Sequence, residues 1–98
     1  MRIGVPKEIK NHEYRVGMTP TSVREAVHHG HKVMVEKNAG GGIGATDADY
    51  QKAGAAIIDT PAEIFAKADM IVKVKEPQAG ERKMLREGQI LYTYLHLA

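Results

Sequence analysis

The stretch Met70 to Pro77 reads Met-Ile-Val-Lys-Val-Lys-Glu-Pro and has the composition of a β-strand that ends at a proline. Alternation places the residues of the run on two faces: Met70, Val72 and Val74 on one, and Ile71, Lys73 and Lys75 on the other. The ordinary interpretation is that both lysines lay their stems along the sheet and hold their ammonium groups in solvent. Lys75, however, lies at the carboxyl end of the strand, where open α/β sheets bind ligands, and an ammonium there is suited to an anion.

The rest of the chain alternates between strand and helix patterns. The predicted strands are Arg2 to Val5, Lys32 to Glu36, Ala55 to Ile58, Met70 to Val74 and Gln89 to Leu95. The predicted helices run from Thr19-Pro20 to about His29, from Asp47 to Lys52, from the capping box Thr60-Pro61-Ala62-Glu63 through Ala68, and from about Gly80 to Arg86. This order predicts an α/β fold, Rossmann-like or flavodoxin-like, with a parallel sheet covered by helices on both faces. Because no helix pattern follows the last strand, we expect the sheet to be incomplete at the carboxyl end and the chain to be part of a longer one.

The composition is that of one ordinary domain. The 98 residues are 43% hydrophobic and 27% charged, and 14 basic and 12 acidic residues give a net charge of +2 without a basic cluster. We therefore expect no nucleic-acid partner. The amino terminus lacks the apolar run of a signal peptide and nothing approaches a membrane span, so we expect a cytoplasmic protein with no membrane partner. The absence of cysteine excludes disulfides and thiolate zinc sites.

Two motifs suggest sites but have simpler interpretations. Gly40 to Ala45 fits the dinucleotide pattern G-x-G-x-x-A, yet three residues separate it from the preceding strand and the next helix is short. We favour a glycine-rich surface turn and expect no cofactor-binding residues there. His28, His29 and His31 are close in sequence, but neighbouring side chains on a helix point about 100° apart, so we expect no metal site.

Three polar residues are expected to meet at one edge of the sheet. Arg15 lies in the polar loop after the first strand and either binds a carboxylate or forms a surface pair with Glu13. Lys75 and His96 lie at the carboxyl ends of the last two strands, which are often neighbours. An arginine, a lysine and a histidine that converge would suit a small carboxylate that exchanges a proton.

The same residues carry a resemblance to a known family. Gly4-Val5-Pro6-Lys7-Glu8 and Asn11-His12-Glu13-Tyr14-Arg15-Val16-Gly17-Met18-Thr19-Pro20 resemble the amino-terminal signature of alanine dehydrogenases and proton-translocating nicotinamide nucleotide transhydrogenases. Lys73-Val74-Lys75-Glu76-Pro77 and Tyr92-Thr93-Tyr94-Leu95-His96-Leu97-Ala98 are similar to the alanine dehydrogenase form. The resemblance extends over residues 1–98 and identifies the amino-terminal part of that family's substrate domain.

The resemblance implies an NAD-dependent oxidoreductase that converts L-alanine to pyruvate and ammonia. It implies that Arg15 and Lys75 bind the substrate, that Tyr94 lines the pocket, and that His96 is the acid/base catalytic residue. It also implies a homo-oligomer, a hexamer in the family. Family members are far longer, and their NAD-binding domain is absent from these residues, so we expect the 98 residues alone to be inactive.

Two alternatives remain open at this point. One is a transhydrogenase-like nucleotide-binding domain, against which Lys75 and His96 argue. The other is a non-catalytic α/β binding module that does not bind alanine or pyruvate.

Overall fold

A computed structural model describes residues 1–94 of the chain. The strands are β1 (Arg2–Val5), β2 (Lys32–Glu36), β3 (Ala56–Ile58), β4 (Met70–Lys73) and β5 (Ile90–Thr93). The helices are α1 (Pro20–His28), α2 (Asp47–Lys52), α3 (Pro61–Lys67) and α4 (Ala79–Arg82), and a 3-10 turn covers Gly41–Ile43. No helix in the described part is long and apolar enough to cross a membrane.

The five strands form one parallel sheet in the order β3-β2-β1-β4-β5. The chain proceeds from β1 to one side of the sheet and then continues on the other side with β4 and β5. The boundary between β1 and β4 is therefore the point where the strand order reverses. In folds of this type, that boundary opens a crevice at the carboxyl ends of the strands.

Helices cover both faces of the sheet, as predicted. On one face, Val23 of α1 and Tyr50 of α2 are fully buried against alternate residues of the central strands. On the other face, α3 buries Ile64 and Phe65 against the sheet. The predicted alternation along β4 is also confirmed, since Val72 belongs to the first core and Ile71 to the second. The edge strand β5 leaves the side chains of Ile90 and Tyr92 about half exposed.

Local sequence signals explain where the helices begin. Thr19 caps α1 by accepting a hydrogen bond from the backbone N–H of Ser22, and a proline occupies the first turn. Thr46 and Asp49 form a reciprocal capping box at α2. The capping box predicted at α3 is only half formed. Thr60 accepts from the backbone of Glu63, whose carboxylate pairs instead with Lys67.

The last predicted helix is shorter than expected. It ends at Arg82 instead of Arg86, because Arg86 turns back and donates to the carbonyl oxygens of Phe65 and Ala68 at the end of α3. The amide of Gln89 donates to the same two carbonyls, so β5 begins one residue later than predicted. These bonds satisfy acceptors that the end of a helix leaves unpaired.

The prediction that the Lys73 ammonium group reaches solvent is wrong. Its side chain is only 1% exposed, and its ammonium lies 3.1 Å from a carboxylate oxygen of Glu8 and 3.1 Å from one of Glu81. Both carboxylates are equally buried, at 2% and 3% exposure. A lysine in the interior requires such partners, because removing its charge from water is costly. The triad joins the loop after β1, strand β4 and helix α4.

Further contacts hold the loop of residues 7–18 on the end of the sheet. The second oxygen of Glu8 accepts from the backbone N–H of Val74 at 3.0 Å, so one carboxylate binds both a side chain and the end of β4. Lys10 pairs with Glu76 just beyond that strand. At the other end of the loop, the buried Tyr50 hydroxyl donates to the carbonyl of Met18 at 2.7 Å. The loop is therefore held near its start by the end of β4 and near its end by α2.

Lys73→Met should destabilise the fold severely, because it leaves two buried carboxylates facing each other without their cation. The free energy of unfolding is expected to fall by about 3 to 5 kcal/mol, measured by urea denaturation. Lys67→Met is the matched control. Lys67 is 53% exposed and pairs with Glu63 on one helix face, so its loss should cost about 1 kcal/mol or less. Equal losses in the two variants would contradict the importance of the buried triad.

Glu76 should titrate far below the ordinary glutamate range. The hydrogen bond from Lys10 lowers the pKa of its carboxyl to about 2. Because the pKa of Glu76 is lower in the folded state, the pair stabilises the fold at pH values above the ordinary glutamate pKa. This stabilisation is lost as the pH falls towards about 2. Lys10→Met should return the Glu76 pKa towards its ordinary value, followed by carbon-detected NMR of the carboxyl group, whereas the distant Lys67→Met should not change it. An unchanged titration in Lys10→Met would refute this assignment.

Candidate functional site

The candidate site lies where the carboxyl ends of β1 and β4 adjoin. The pairing of Ile3 with Met70 and of Gly4 with Ile71 places these two strands side by side. The loop after β1 carries Arg15, and the segment after β4 carries Lys75. Because β5 pairs with β4 on its other side, its carboxyl end lies at the same edge of the sheet. The neighbouring positions predicted for these strand ends are therefore confirmed.

Glu13 holds Arg15 through three hydrogen bonds. One carboxylate oxygen, Oε2, accepts from the backbone N–H of Arg15 at 2.8 Å and from its Nε at 3.0 Å. The other oxygen, Oε1, accepts from Nη2 at 2.9 Å. The Glu13 side chain is only 4% exposed, whereas that of Arg15 is 64% exposed. A buried carboxylate thus holds one edge of a guanidinium whose remaining part reaches solvent.

The same carboxylate also attracts Lys75. The Lys75 ammonium lies 3.9 Å from Oε1 of Glu13, and its side chain is 14% exposed. The backbone N–H of Lys75 donates to Glu8 at 3.3 Å, which fixes the end of the strand. The structure therefore brings Arg15 and Lys75 together, as predicted, and the pairing of Arg15 with Glu13 is also present. The structure shows the pairing of Arg15 with Glu13, whereas the binding of a substrate carboxylate by Arg15 remains a prediction.

Hydrogen bonding between Glu13 and Arg15 keeps both side chains charged. The side-chain hydrogen bonds from Arg15 lower the pKa of the Glu13 carboxyl, against the opposing effect of burial, and Lys75 lowers it further. The bond to Glu13 in turn raises the pKa of the Arg15 guanidinium. Near neutral pH, the Glu13 carboxylate therefore lies between the Arg15 guanidinium and the Lys75 ammonium.

An open cleft of about 510 Å³ adjoins this group. Its charged lining residues are Lys7, Glu8, Glu13 and Arg15, and the remainder of the wall is Tyr14, Asn38, Ala39, Gly41 and Gly42. A volume of this size is within the range of small-molecule sites. The cleft can admit a small organic anion beside the exposed part of Arg15.

The glycine-rich turn forms one wall of this cleft. A Cβ atom at Gly42 would lie 2.1 Å from the carbonyl oxygen of Tyr14, and one at Gly40 would lie 2.7 Å from that of Ala45. These two glycines are therefore required for close packing of the chain on itself. The following helix, α2, has only six residues. This arrangement does not fit the open phosphate-binding turn of a dinucleotide fold, in which glycines admit the pyrophosphate.

Tyr94 lies elsewhere than Arg15 and Lys75. Its hydroxyl donates to the carbonyl of Gly17 at 2.6 Å, and its ring contacts that of Tyr92 edge to face. It lines a separate cavity of about 240 Å³ on the α1 face of the sheet, together with residues such as Met70. Tyr94 thus holds the loop of residues 7–18 at Gly17, and it does not line the cleft beside Arg15. His96 lies outside the described residues, so its predicted role remains a prediction.

Sequence reasoning missed the residues that support the site. Lys73, Glu8 and Glu81 form the buried triad described above, although Lys73 was expected to reach solvent and neither carboxylate was predicted to be its partner. One signal was available, because a lysine within an unbroken apolar strand must bury its ammonium or reach around the strand to water. Glu81 in the short α4 gave no signal of its own, since acidic residues are common in the first turn of a helix.

Known proteins resemble this chain along its whole length. The family described as "Alanine dehydrogenase/PNT, N-terminal domain" matches residues 4–98. The alanine dehydrogenase of Methanococcus maripaludis is 57% identical over 98 residues, which is all of this chain and 26% of that protein. The alanine dehydrogenase of Mycobacterium tuberculosis is 50% identical over the same share of each chain.

Solved structures show the same relationship. An L-alanine dehydrogenase superposes with a TM-score of 0.93 at 49% identity, covering 98% of this chain and 26% of that one. A transhydrogenase from Sinorhizobium meliloti superposes with a TM-score of 0.89 at 33% identity, covering 97% and 27%. The chain thus spans about a quarter of the length of its relatives. The resemblance noted in the sequence is confirmed, and the chain belongs to the alanine dehydrogenase/PNT family, whose amino-terminal domain it matches.

Proposed function

We propose that these residues form the amino-terminal substrate-binding part of an NAD-dependent L-alanine dehydrogenase. The reaction converts L-alanine, NAD⁺ and water to pyruvate, ammonium, NADH and a proton. The observation that carries this proposal is the meeting of Arg15 and Lys75 at one buried carboxylate, at the switch point of the sheet. The alanine dehydrogenases that match the whole chain support the same reaction.

Arg15 and Lys75 would hold the substrate. The exposed part of the Arg15 guanidinium provides a fork for the carboxylate of alanine or pyruvate, and the Lys75 ammonium binds the same carboxylate or the neighbouring carbonyl oxygen. Two fixed cations orient the substrate so that its reacting carbon has one accessible face. Each charged hydrogen bond of this kind contributes about 1.5 to 3 kcal/mol.

We assign the acid/base role to His96. An imidazole with a pKa near its usual value of about 6.5 exchanges a proton near neutrality as the imine forms and is hydrated. For Tyr94 we propose an indirect role in the substrate pocket. Its hydrogen bond to the carbonyl of Gly17 supports this role, because Gly17 belongs to the loop of residues 7–18 that carries Arg15.

NAD would supply the hydride chemistry of the reaction. We place its binding outside these residues, because Gly40 and Gly42 are packed against the chain itself. We further propose that the complete enzyme is a cytoplasmic homo-oligomer, a hexamer as in the family.

A transhydrogenase-like domain is the second candidate. The structural match at 33% identity supports it, but the alanine dehydrogenases are more similar to this chain, at 50 to 57% identity. The presence of Lys75 and His96 also favours the dehydrogenase, because the resemblance to that branch rests on them.

Titration of the chain with pyruvate, followed by amide NMR, tests the proposed site. We expect localised shifts near Arg15 and Lys75, and at least about tenfold weaker binding after Arg15→Gln or Lys75→Ala, since each removes a charged hydrogen bond. Arg24→Gln, on the exposed side of α1, is the matched control and should bind normally. A folded spectrum without a response at these amides would contradict the proposed half-site.

The glycine wall provides a second test. Gly42→Ala should displace Tyr14, because the added methyl group would lie 2.1 Å from its carbonyl oxygen, and should weaken pyruvate binding through the adjoining Arg15. Gly80→Ala in α4 is the control, because a Cβ atom there meets nothing within 4 Å and Gly80 does not line the cleft. The two variants should therefore differ in the pyruvate titration, and indistinguishable affinities would show that the wall does not position the loop.

A further inference from the structure

We propose that Glu13 is a positioning residue that also sets the charge selectivity of the site, favouring substrates with one carboxylate over those with two. This inference rests on the function proposed above. It assigns to Glu13 two effects, one on the orientation of Arg15 and one on the net charge beside the substrate.

The geometry of the pair allows Glu13 and a substrate to bind Arg15 together. A guanidinium has five N–H donors, and Glu13 occupies the edge formed by Nε and Nη2. Within residues 1–94, no acceptor lies within hydrogen-bond distance of Nη1, and the Arg15 side chain is 64% exposed. The end formed by Nη1 and the second hydrogen of Nη2 therefore remains for a bidentate substrate carboxylate. Glu13 holds the guanidinium in orientation without competing for that end.

The charges around the cleft nearly balance. Its lining carries two basic residues, Lys7 and Arg15, and two carboxylates, Glu8 and Glu13. Lys75 adds a positive charge beside Glu13, and Glu36, whose carboxylate accepts a hydrogen bond from the backbone N–H of Lys7, adds a negative one. The cleft therefore has no large excess of positive charge to hold a second carboxylate.

The position of Glu13 makes its charge effective. Its carboxylate lies within 4 Å of both cations that would meet the substrate. A second carboxylate on the substrate would therefore bring a further negative charge towards one already present in the site. Removing the Glu13 charge would relieve that repulsion.

The test uses a complete enzyme made by replacing the first 98 residues of the Methanococcus maripaludis alanine dehydrogenase with this chain. The assay is reductive amination of pyruvate with NADH and ammonia. Two five-carbon 2-oxo acids serve as competitive inhibitors: 2-oxoglutarate, which has a second carboxylate, and 2-oxopentanoate, which lacks it. The ratio of their inhibition constants reports charge selectivity at matched length.

In the unmutated chimera, 2-oxoglutarate should bind at least about tenfold more weakly than 2-oxopentanoate. Glu13→Gln should raise the KM for pyruvate about tenfold, change kcat less than about threefold, and reduce the inhibitor ratio about tenfold. Glu13→Asp, which retains the charge, should keep most of the ratio. Glu25→Gln, which changes an exposed carboxylate on α1, should leave every value unchanged. Glu13→Ala provides the same test if the glutamine variant does not fold.

An inhibitor ratio that is the same in the unmutated and charge-removed enzymes would overturn the selectivity proposal, even if the KM rises, because a purely structural role weakens both inhibitors equally. A folded, unmutated chimera that does not reduce pyruvate would overturn the proposed function itself. The two failures are therefore distinguishable.

Discussion

The arrangement of the site depends on one buried ammonium group. Lys73 lies between the carboxylates of Glu8 and Glu81, and all three side chains are almost completely removed from solvent. An unpaired charge in this position would be strongly destabilising, so the segments that carry the three residues must be in place together. Glu8 also accepts from the backbone at the end of β4, which places the loop after β1 directly on the neighbouring strand. The triad thus couples the stability of the fold to the position of the loop of residues 7–18.

A second cluster of opposite charges lies at the surface of the site. Glu13 contacts two cations, of which Arg15 lines the cleft. In the interior triad, two carboxylates surround one ammonium. In the outer group, one carboxylate lies between two cations. The first group stabilises the fold, and the second presents part of a guanidinium to the cleft, although the two groups lie within a few residues of each other.

The topology explains why these groups lie side by side. The strand order reverses between β1 and β4, and the loop after β1 packs directly on the end of β4 through Glu8. Arg15 and Lys75 therefore meet at Glu13, although 60 positions separate them in the sequence. The open cleft lies between this loop and the glycine turn after β2, which packs on the backbone of Tyr14. A small domain can build a charged cleft in this way with few side chains in its walls.

Local chemistry in the sequence determined the α/β class, the helix starts and the strand positions, because caps, prolines and alternating apolar residues act over a few residues. The resemblance of the four quoted runs to the alanine dehydrogenase and transhydrogenase signature identified the family, which the comparisons confirmed. Only the tertiary structure decided that Lys73 is buried, because its partner Glu8 is 65 positions away and no local pattern encodes that distance. The strand order and the sharing of Glu13 by two cations were decided in the same way, by crossovers that bring distant segments to one edge of the sheet.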